Sequence, residues 1–253
     1  MKRLLAPVIG ILAFLALWEL LVRAADVRPF VLRAPSRIIR FLIREIGDYS
    51  AAAWVTTQHA VIGASIALVI AIVCGAAMAA STFLEHATQP VLTLLQVTPF
   101  VAYIASVVLW LGAGTAPALF IVALVCMPGF AFAAADGMRS ADPAARELLA
   151  SVDASKWEVL WRLRLPSAIP SLFTTARYNV GLALIAAYLV EGGNFASEGL
   201  GDIGKRAAAL NQGDTLWAAI FTMAILGTLL LVLLSLLQRT VMRWHVSQRR
   251  ART

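Results

Sequence analysis

The chain has 253 residues, 60% of them hydrophobic and 14% charged, with a formal net charge of +7. A soluble domain carries about 25% charged residues, so the composition counts against an ordinary water-soluble enzyme or nucleic-acid binder and points to a chain embedded in lipid. Its basic residues lie between long apolar runs, where positive charge reads as topology before it reads as a partner.

A helix crossing the hydrocarbon needs roughly 20 apolar residues, and its backbone must bond within itself. Six segments qualify: residues 4–22, 61–80, 90–111, 116–135, 172–190 and 216–237. The first exceeds the apolar run of a signal peptide, about 7 to 15 residues, and lacks a small-x-small cleavage site, so it reads as a retained anchor. Arg23, Arg28, Arg33, Arg37, Arg40 and Arg44 follow it. Pro35 and Ser36 mark a helix start there, and Ile38, Phe41, Leu42 and Glu45 recur at helical spacing, which predicts an interfacial amphipathic helix. The second, third, fourth and sixth spans contain no Asp, Glu, Lys, Arg or His. Cys74 and Cys126 fall inside apolar runs with no disulfide or metal spacing and read as packing residues. Six spans put both termini on one side. Thirteen basic residues then lie with the termini and eight opposite, which predicts cytoplasmic termini.

Between the fourth and fifth spans, residues 136–170 form the longest hydrophilic segment on the side of the termini. Asp142 before Pro143 is an N-cap with proline at the first helical position, predicting a helix through Val152. Ser155 with Glu158 fits a capping box and predicts a second short helix over 156–165, ended by Pro166. Asp153 makes the turn between them. Trp157, Leu160, Trp161 and Arg164 share one face by their 3, 4 spacing. Tryptophans and arginines on such a protrusion suit either a docked partner or a helix lying in lipid headgroups.

The spacing of this segment resembles the signature loop of permease subunits in bacterial binding-protein-dependent ABC importers. That pattern is E-A-A, a glycine six residues after the Glu, a hydrophobic residue ten further on and Leu-Pro two later. Glu147, Asp153, Leu163, Leu165 and Pro166 stand at those intervals, with Leu148 and Leu149 for the alanines and Asp153 for the glycine. Asp enters left-handed backbone more readily than most residues. Residues 99–114 resemble the nitrate, sulfonate and taurine permease subgroup, in which a proline leads to W-x-G-x-G: Pro99, Ala102, Trp110, Gly112 and Gly114 match, and Ala105 stands where a proline is usual. Glu191 with Gly199, Leu200 and Gly201 resembles the family's Glu followed by Gly-Leu-Gly. The likeness covers about residues 55–240.

The resemblance implies an all-α integral membrane protein with six transmembrane helices and the type I importer (MetI-like) permease fold. Residues 1–58 would be an anchor helix and amphipathic loop, 59–240 the permease core, and 241–253 a basic cytoplasmic tail. It further implies a bacterial inner membrane location, a second permease copy, two ATPase subunits gripping the 136–166 loops, and a periplasmic solute-binding protein. ATP and Mg²⁺ would sit on the ATPases, leaving this chain without cofactor, metal or catalytic residues. The coupling residues would be Glu147, Asp153, Trp157, Leu160, Trp161, Leu165 and Pro166.

Residues 198–209 satisfy both G-x-G-x-x-G and G-x-x-x-x-G-K. A phosphate loop needs a preceding strand and, for the Walker type, a hydroxyl after the lysine, where this chain has Arg206. The stretch therefore reads as a glycine-rich turn re-entering the membrane. Glu191 is an acidic residue at membrane depth, a functional candidate by default. Arg177 lies about 21 Å away along the same helix, and the neighbouring spans offer no cation. The alternative is a carboxylate at the wet end of its helix, or capping the break at Gly192 and Gly193. Tyr103, Trp110, Tyr178, Asn179, Tyr188, Glu191 and Gln96 are candidates for a translocation path. The solute expected is sulfonate-, taurine- or nitrate-like, as in the subgroup, or vitamin- or pyrimidine-precursor-like, and the absence of Lys and Arg from four spans leans toward the neutral or aromatic kind over sulfonates and nitrate.

An ATP-independent secondary carrier or channel is the alternative function. It predicts inverted repeats and broken helices near the midplane, and the sequence displays neither clearly. A membrane enzyme is a third class, but His59, His86 and His245 have no metal-like spacing.

Overall fold

The computed structural model describes residues 2–27, 32–195 and 199–242, and the regular structure among them is helical throughout. The elements are α1 (Lys2–Ala24), α2 (Pro35–Arg44), α3 (Ile46–Ala80), α4 (Thr82–Val97), α5 (Val101–Leu111), α6 (Thr115–Arg139), α7 (Pro143–Ser151), α8 (Lys156–Val159), α9 (Leu165–Val190), α10 (Leu200–Ala209) and α11 (Gly213–Val241). Among the described residues, five helices are long and apolar enough to cross a membrane, and α4 with α5 makes a sixth crossing if counted as one bent span. Arg28, the basic tail at 243–253 and His245 within it lie outside the described residues.

The core is built on α3, α6 and α9, and small residues set how closely they meet. Gly63, Ala67, Ala71 and Gly75 fall at every fourth position of α3 and are all buried. Spaced this way, they form one flat stripe that lets two backbones approach, the usual device where lipid gives helices no hydrophobic reason to associate. A Cβ on Gly63 would lie 2.6 Å from Val122 Cβ, and one on Gly75 would lie 2.5 Å from Ala134 Cβ and 2.9 Å from the Ala135 nitrogen. The second neighbour of Gly75 is backbone and has no room to yield. Gly75→Val is therefore expected to destabilise the bundle by about 1 to 3 kcal/mol, read as a lowered thermal midpoint of the detergent-purified protein. An unchanged midpoint would mean that α3 and α6 are not packed this closely.

Two sequence expectations fail, each for a local reason. The third span, expected to be continuous over 90–111, breaks between α4 and α5 with a bend of 102°. Pro99 forces Thr98 into extended backbone (φ −76°, ψ 127°), so α4 stops at Val97. α5 then ends at Gly112 and Gly114, whose φ values of +79° and +124° only glycine adopts readily. The second loop helix, expected to end at Pro166, instead runs through a π-helical turn at Leu160–Arg164 into α9. The Leu165 N–H bonds back to the Leu160 carbonyl. That register shift accommodates a proline ring that an unbroken α-helical ladder would not.

α3 is 35 residues long, about 52 Å at 1.5 Å per residue, and it relates the two ends of the molecule. At its C-terminus, Arg139 donates to the Met78 carbonyl at 2.8 Å and pairs with Glu85 at 2.6 Å, while Arg164 donates to the Ala79 carbonyl at 3.2 Å. Orphan carbonyls at a helix C-terminus are satisfied by cations, which also suit the helix dipole. The N-terminus of α3, with α2, α10 and the start of α11, forms the opposite end. α1 lies outermost: its Trp18 packs on Trp217 and Phe221 of α11 at 5.3 and 5.7 Å between ring centroids, and Glu19 accepts from Ser36 N and Oγ at 2.9 and 2.7 Å. α2 is amphipathic as expected, with Ile38 and Leu42 buried.

Candidate functional site

The segment between α6 and α9 forms a capped, braced protrusion at the end where α3 finishes. Asp142 accepts from the Ala144 N–H at 3.0 Å and starts α7. α7 closes with the Ala154 N–H on the Leu149 carbonyl and the Asp153 N–H on the Ala150 carbonyl, the double bond of a Schellman turn. That turn needs a left-handed residue, and Asp153 supplies it at φ +51°. The Ser155 and Glu158 capping box is complete, with Glu158 N on Ser155 Oγ at 3.2 Å and Ser155 N on Glu158 Oε2 at 3.0 Å. Both turns of the protrusion are thus held by the side chains that the spacing singled out.

The expected shared face of Trp157, Leu160, Trp161 and Arg164 is divided. Leu160 and Leu165 turn inward onto Ala134, Met138 and Ala168, and Arg164 reaches the end of α3. Trp157 and Trp161 turn outward, 66% and 56% exposed, edge to face at 5.7 Å. The π-helical turn rotates the later residues relative to a plain α-helical wheel, which the 3, 4 spacing does not anticipate. α7 has no buried residue, and Glu147 on it is exposed. Pro166 lies partly buried where the protrusion joins α9. The result is a stiff two-helix handle, fastened to α3, α6 and α9 on one side and presenting two indoles and a carboxylate on the other.

At the opposite end, Glu191 is fully buried, not at a wet helix end, and Gly192 and Gly193 continue the helix as a π-helical turn, so there is no break for it to cap. Its partner is His59, whose Nδ1 lies 2.8 Å from Oε1. His59 lies outside the apolar run that starts at residue 61, but α3 starts fifteen residues before that run and carries it inward with Thr56. Glu191 Oε2 accepts from Thr56 Oγ1 at 2.9 Å and from the Gly201 N–H at 3.0 Å, and Thr56 Oγ1 accepts from the Leu200 N–H at 3.0 Å. Two of the four orphan donors of α10 are therefore satisfied by side chains from other helices.

This latch also explains the nucleotide-like pattern. A Cβ on Gly199 would overlap the Glu191 carboxylate, one on Gly201 the Tyr188 carbonyl, and one on Gly204 the Tyr188 hydroxyl. The three glycines are the points where α10 lies on the end of α9, and the helix N-terminus that a phosphate would use is filled by the protein's own carboxylate.

The other residues singled out for a path do not share one surface. Tyr178 and Asn179 line a cleft of about 130 Å³ beside the α4–α5 break, with Gln96, Thr98 and Phe100. Asn179 is 2% exposed and donates to the Cys126 carbonyl at 3.1 Å. Tyr103 packs on the main core. Trp110 is 72% exposed beside Phe120, and Tyr188 serves the packing of α10. The break that makes the cleft has its sequence signal in Thr98 before Pro99, within an otherwise continuous apolar run.

Long apolar helices around a small-residue core, with a braced handle at one end and a short helix latched at the other, define a polytopic membrane protein. The family model for the inner membrane component of binding-protein-dependent transport systems matches residues 67–244, and the chain belongs to that family. It is 28% identical over 249 residues to the formylaminopyrimidine transport permease protein ThiX of Halalkalibacterium halodurans, covering 96% of this chain and 97% of that one. It is 28% identical over 250 residues to the taurine transport system permease protein TauC of Escherichia coli, covering 94% and 89%. In fold it is similar to the inward-facing MetNI methionine ABC transporter, with a TM-score of 0.60 at 15% identity over 76% of this chain and 98% of that chain. The chain is thus a permease subunit of an ABC importer with the MetI-like fold, and the secondary-carrier alternative falls despite the broken helix at Pro99.

Proposed function

We propose that the handle at 136–166 is the lever by which a separate ATPase drives this permease. Two copies of the chain form the pore, each handle sits in a groove of one ATPase subunit, and a solute-binding protein delivers cargo at the α10 end. ATP and Mg²⁺ belong to the ATPases, and both termini face the cytoplasm. One observation carries the reading: two adjacent indoles stand exposed on a helix whose every other attachment is made rigid. A lever transmits motion only if its joints do not yield, and the Schellman turn, the capping box and the Arg164 bond stiffen them.

The cargo is a small neutral solute with hydrogen-bonding edges, of the kind named for the formylaminopyrimidine permease. The cleft beside the α4–α5 break offers Gln96, Thr98, Tyr178 and Asn179, and its lining contains no cation to neutralise a sulfonate. Purification of the tagged permease from its host in mild detergent is expected to bring the ATPase with it, and the binding protein's bound ligand is expected to be uncharged. A permease that elutes alone, with uptake that survives ATP depletion but stops when an ion gradient collapses, would overturn the coupling. A bound sulfonate would overturn the cargo alone.

A further inference from the structure

Helix α2 presents three faces where folding requires only one. Ile38 and Leu42 are buried against the protein. Ile39 and Ile43 point outward, 41% and 67% exposed. Arg37, Arg40 and Arg44 form a third, exposed row at the spacing that aligns side chains on a helix. The depth of α2 follows from its neighbours. Glu19 in the last turns of α1 bonds Ser36 at the start of α2, and Leu20 and Leu21 beside it are exposed apolar residues. Trp18 and Trp217 pack together at this end, and Tyr49 donates to the Thr215 carbonyl at 3.0 Å. Such residues gather where hydrocarbon meets headgroups.

We propose that the arginine row of α2 binds the phosphate of an anionic phospholipid, whose acyl chains lie along Ile39 and Ile43. Arg37, Arg40, Phe41 and Arg44, with Asp214, line an open cleft of about 350 Å³. Asp214 is already engaged: Arg37 donates to its Oδ2 at 2.8 Å, and Arg33 Nε lies 2.9 Å from Oδ1 as an ion pair without hydrogen-bond alignment. Arg40 donates through Nε to the Ser36 carbonyl at 3.2 Å, leaving the far end of its guanidinium free, and Arg44 has no hydrogen-bond partner among the described residues. Glu45 and Asp48 follow in the chain and moderate the field without closing the cleft. Planar guanidinium forks suit phosphate oxygens, and basic residues at an interface attract anionic lipid. A lipid fits better than the acidic face of a protein partner, because the exposed isoleucines adjoin the row at headgroup depth and a lipid fills both.

The test is native mass spectrometry of the intact transporter released from nanodiscs containing phosphatidylglycerol and phosphatidylcholine. The R40Q/R44Q variant is expected to lose retained phosphatidylglycerol, roughly fivefold in affinity for each arginine removed, with phosphatidylcholine retention and thermal midpoint unchanged. R44Q alone, at a residue without a partner, is expected to show the single step and guards against a folding defect in the double variant. R162Q, at the opposite end, is expected to leave phosphatidylglycerol retention unchanged. Equal phosphatidylglycerol retention in wild type and R40Q/R44Q overturns the proposal, as does parallel loss of both lipids. Unchanged lipid with weakened capture of the solute-binding protein overturns it in favour of a protein-docking face.

Discussion

Trp157→Ala and Trp161→Ala together should leave the permease folded in the membrane and strip it of its ATPase. Each indole is more than half exposed, so its removal takes little from the folded chain. Burying a central tryptophan in an interface commonly contributes about 2 to 4 kcal/mol, which for one residue is roughly a 30-fold to 900-fold loss of affinity. Neighbouring residues separate docking from folding. Leu160→Ala opens a gap against Ala134, Met138 and Ala168 and is expected to lower the thermal midpoint, whereas the Trp variants keep it. Glu147→Ala should behave like the Trp variants, since that side chain is exposed. Co-elution with the ATPase, compared at equal membrane abundance, is the measurement. Undiminished association in the double Trp variant would mean that these indoles lie in headgroups and the handle is gripped elsewhere or not at all.

Glu191→Ala is expected to release α10. The substitution leaves His59 Nδ1, the Thr56 hydroxyl and the Gly201 N–H facing a cavity, with only Thr56 still able to turn to another acceptor, the Ala52 carbonyl at 3.1 Å. Removing a shared acceptor costs about 1 to 3 kcal/mol for each buried donor left unsatisfied, and several are left here. In a chain of this length that corresponds to a fall of about 10 °C in melting temperature. Glu191→Gln keeps one acceptor oxygen and is expected to lose less, while His59→Leu removes one bond and should fall between wild type and alanine. Protease sensitivity near α10 separates local release from general loosening. If Glu191→Ala melts with the wild type and α10 stays protected, the carboxylate is not the latch.

Much of the candidate site could be read without coordinates because its signals are local. Asp142 with Pro143, the pairing of Ser155 with Glu158, and a left-handed Asp153 act over four residues or fewer, and the structure realises all three. The break at Pro99 was equally local. Unbroken hydrophobicity across 90–111 masks it, although proline restricts the residue before it whatever the hydropathy.

The sequence alone determined the lipid-embedded helical class, nearly all of the spans and the capped turns of the handle. Each of these depends on the composition of a run or on bonds between residues a few positions apart. Only the tertiary structure decided which way each handle side chain points, since a π-helical turn shifts the wheel by an amount that spacing does not encode. It alone supplied His59 and Thr56 to Glu191 across more than 130 positions of chain, and showed the glycines of 199–204 to be contact points for Tyr188 and Glu191 in place of a phosphate cradle. Long-range packing decides these matters because a buried polar group takes whatever partner the fold brings within about 3 Å.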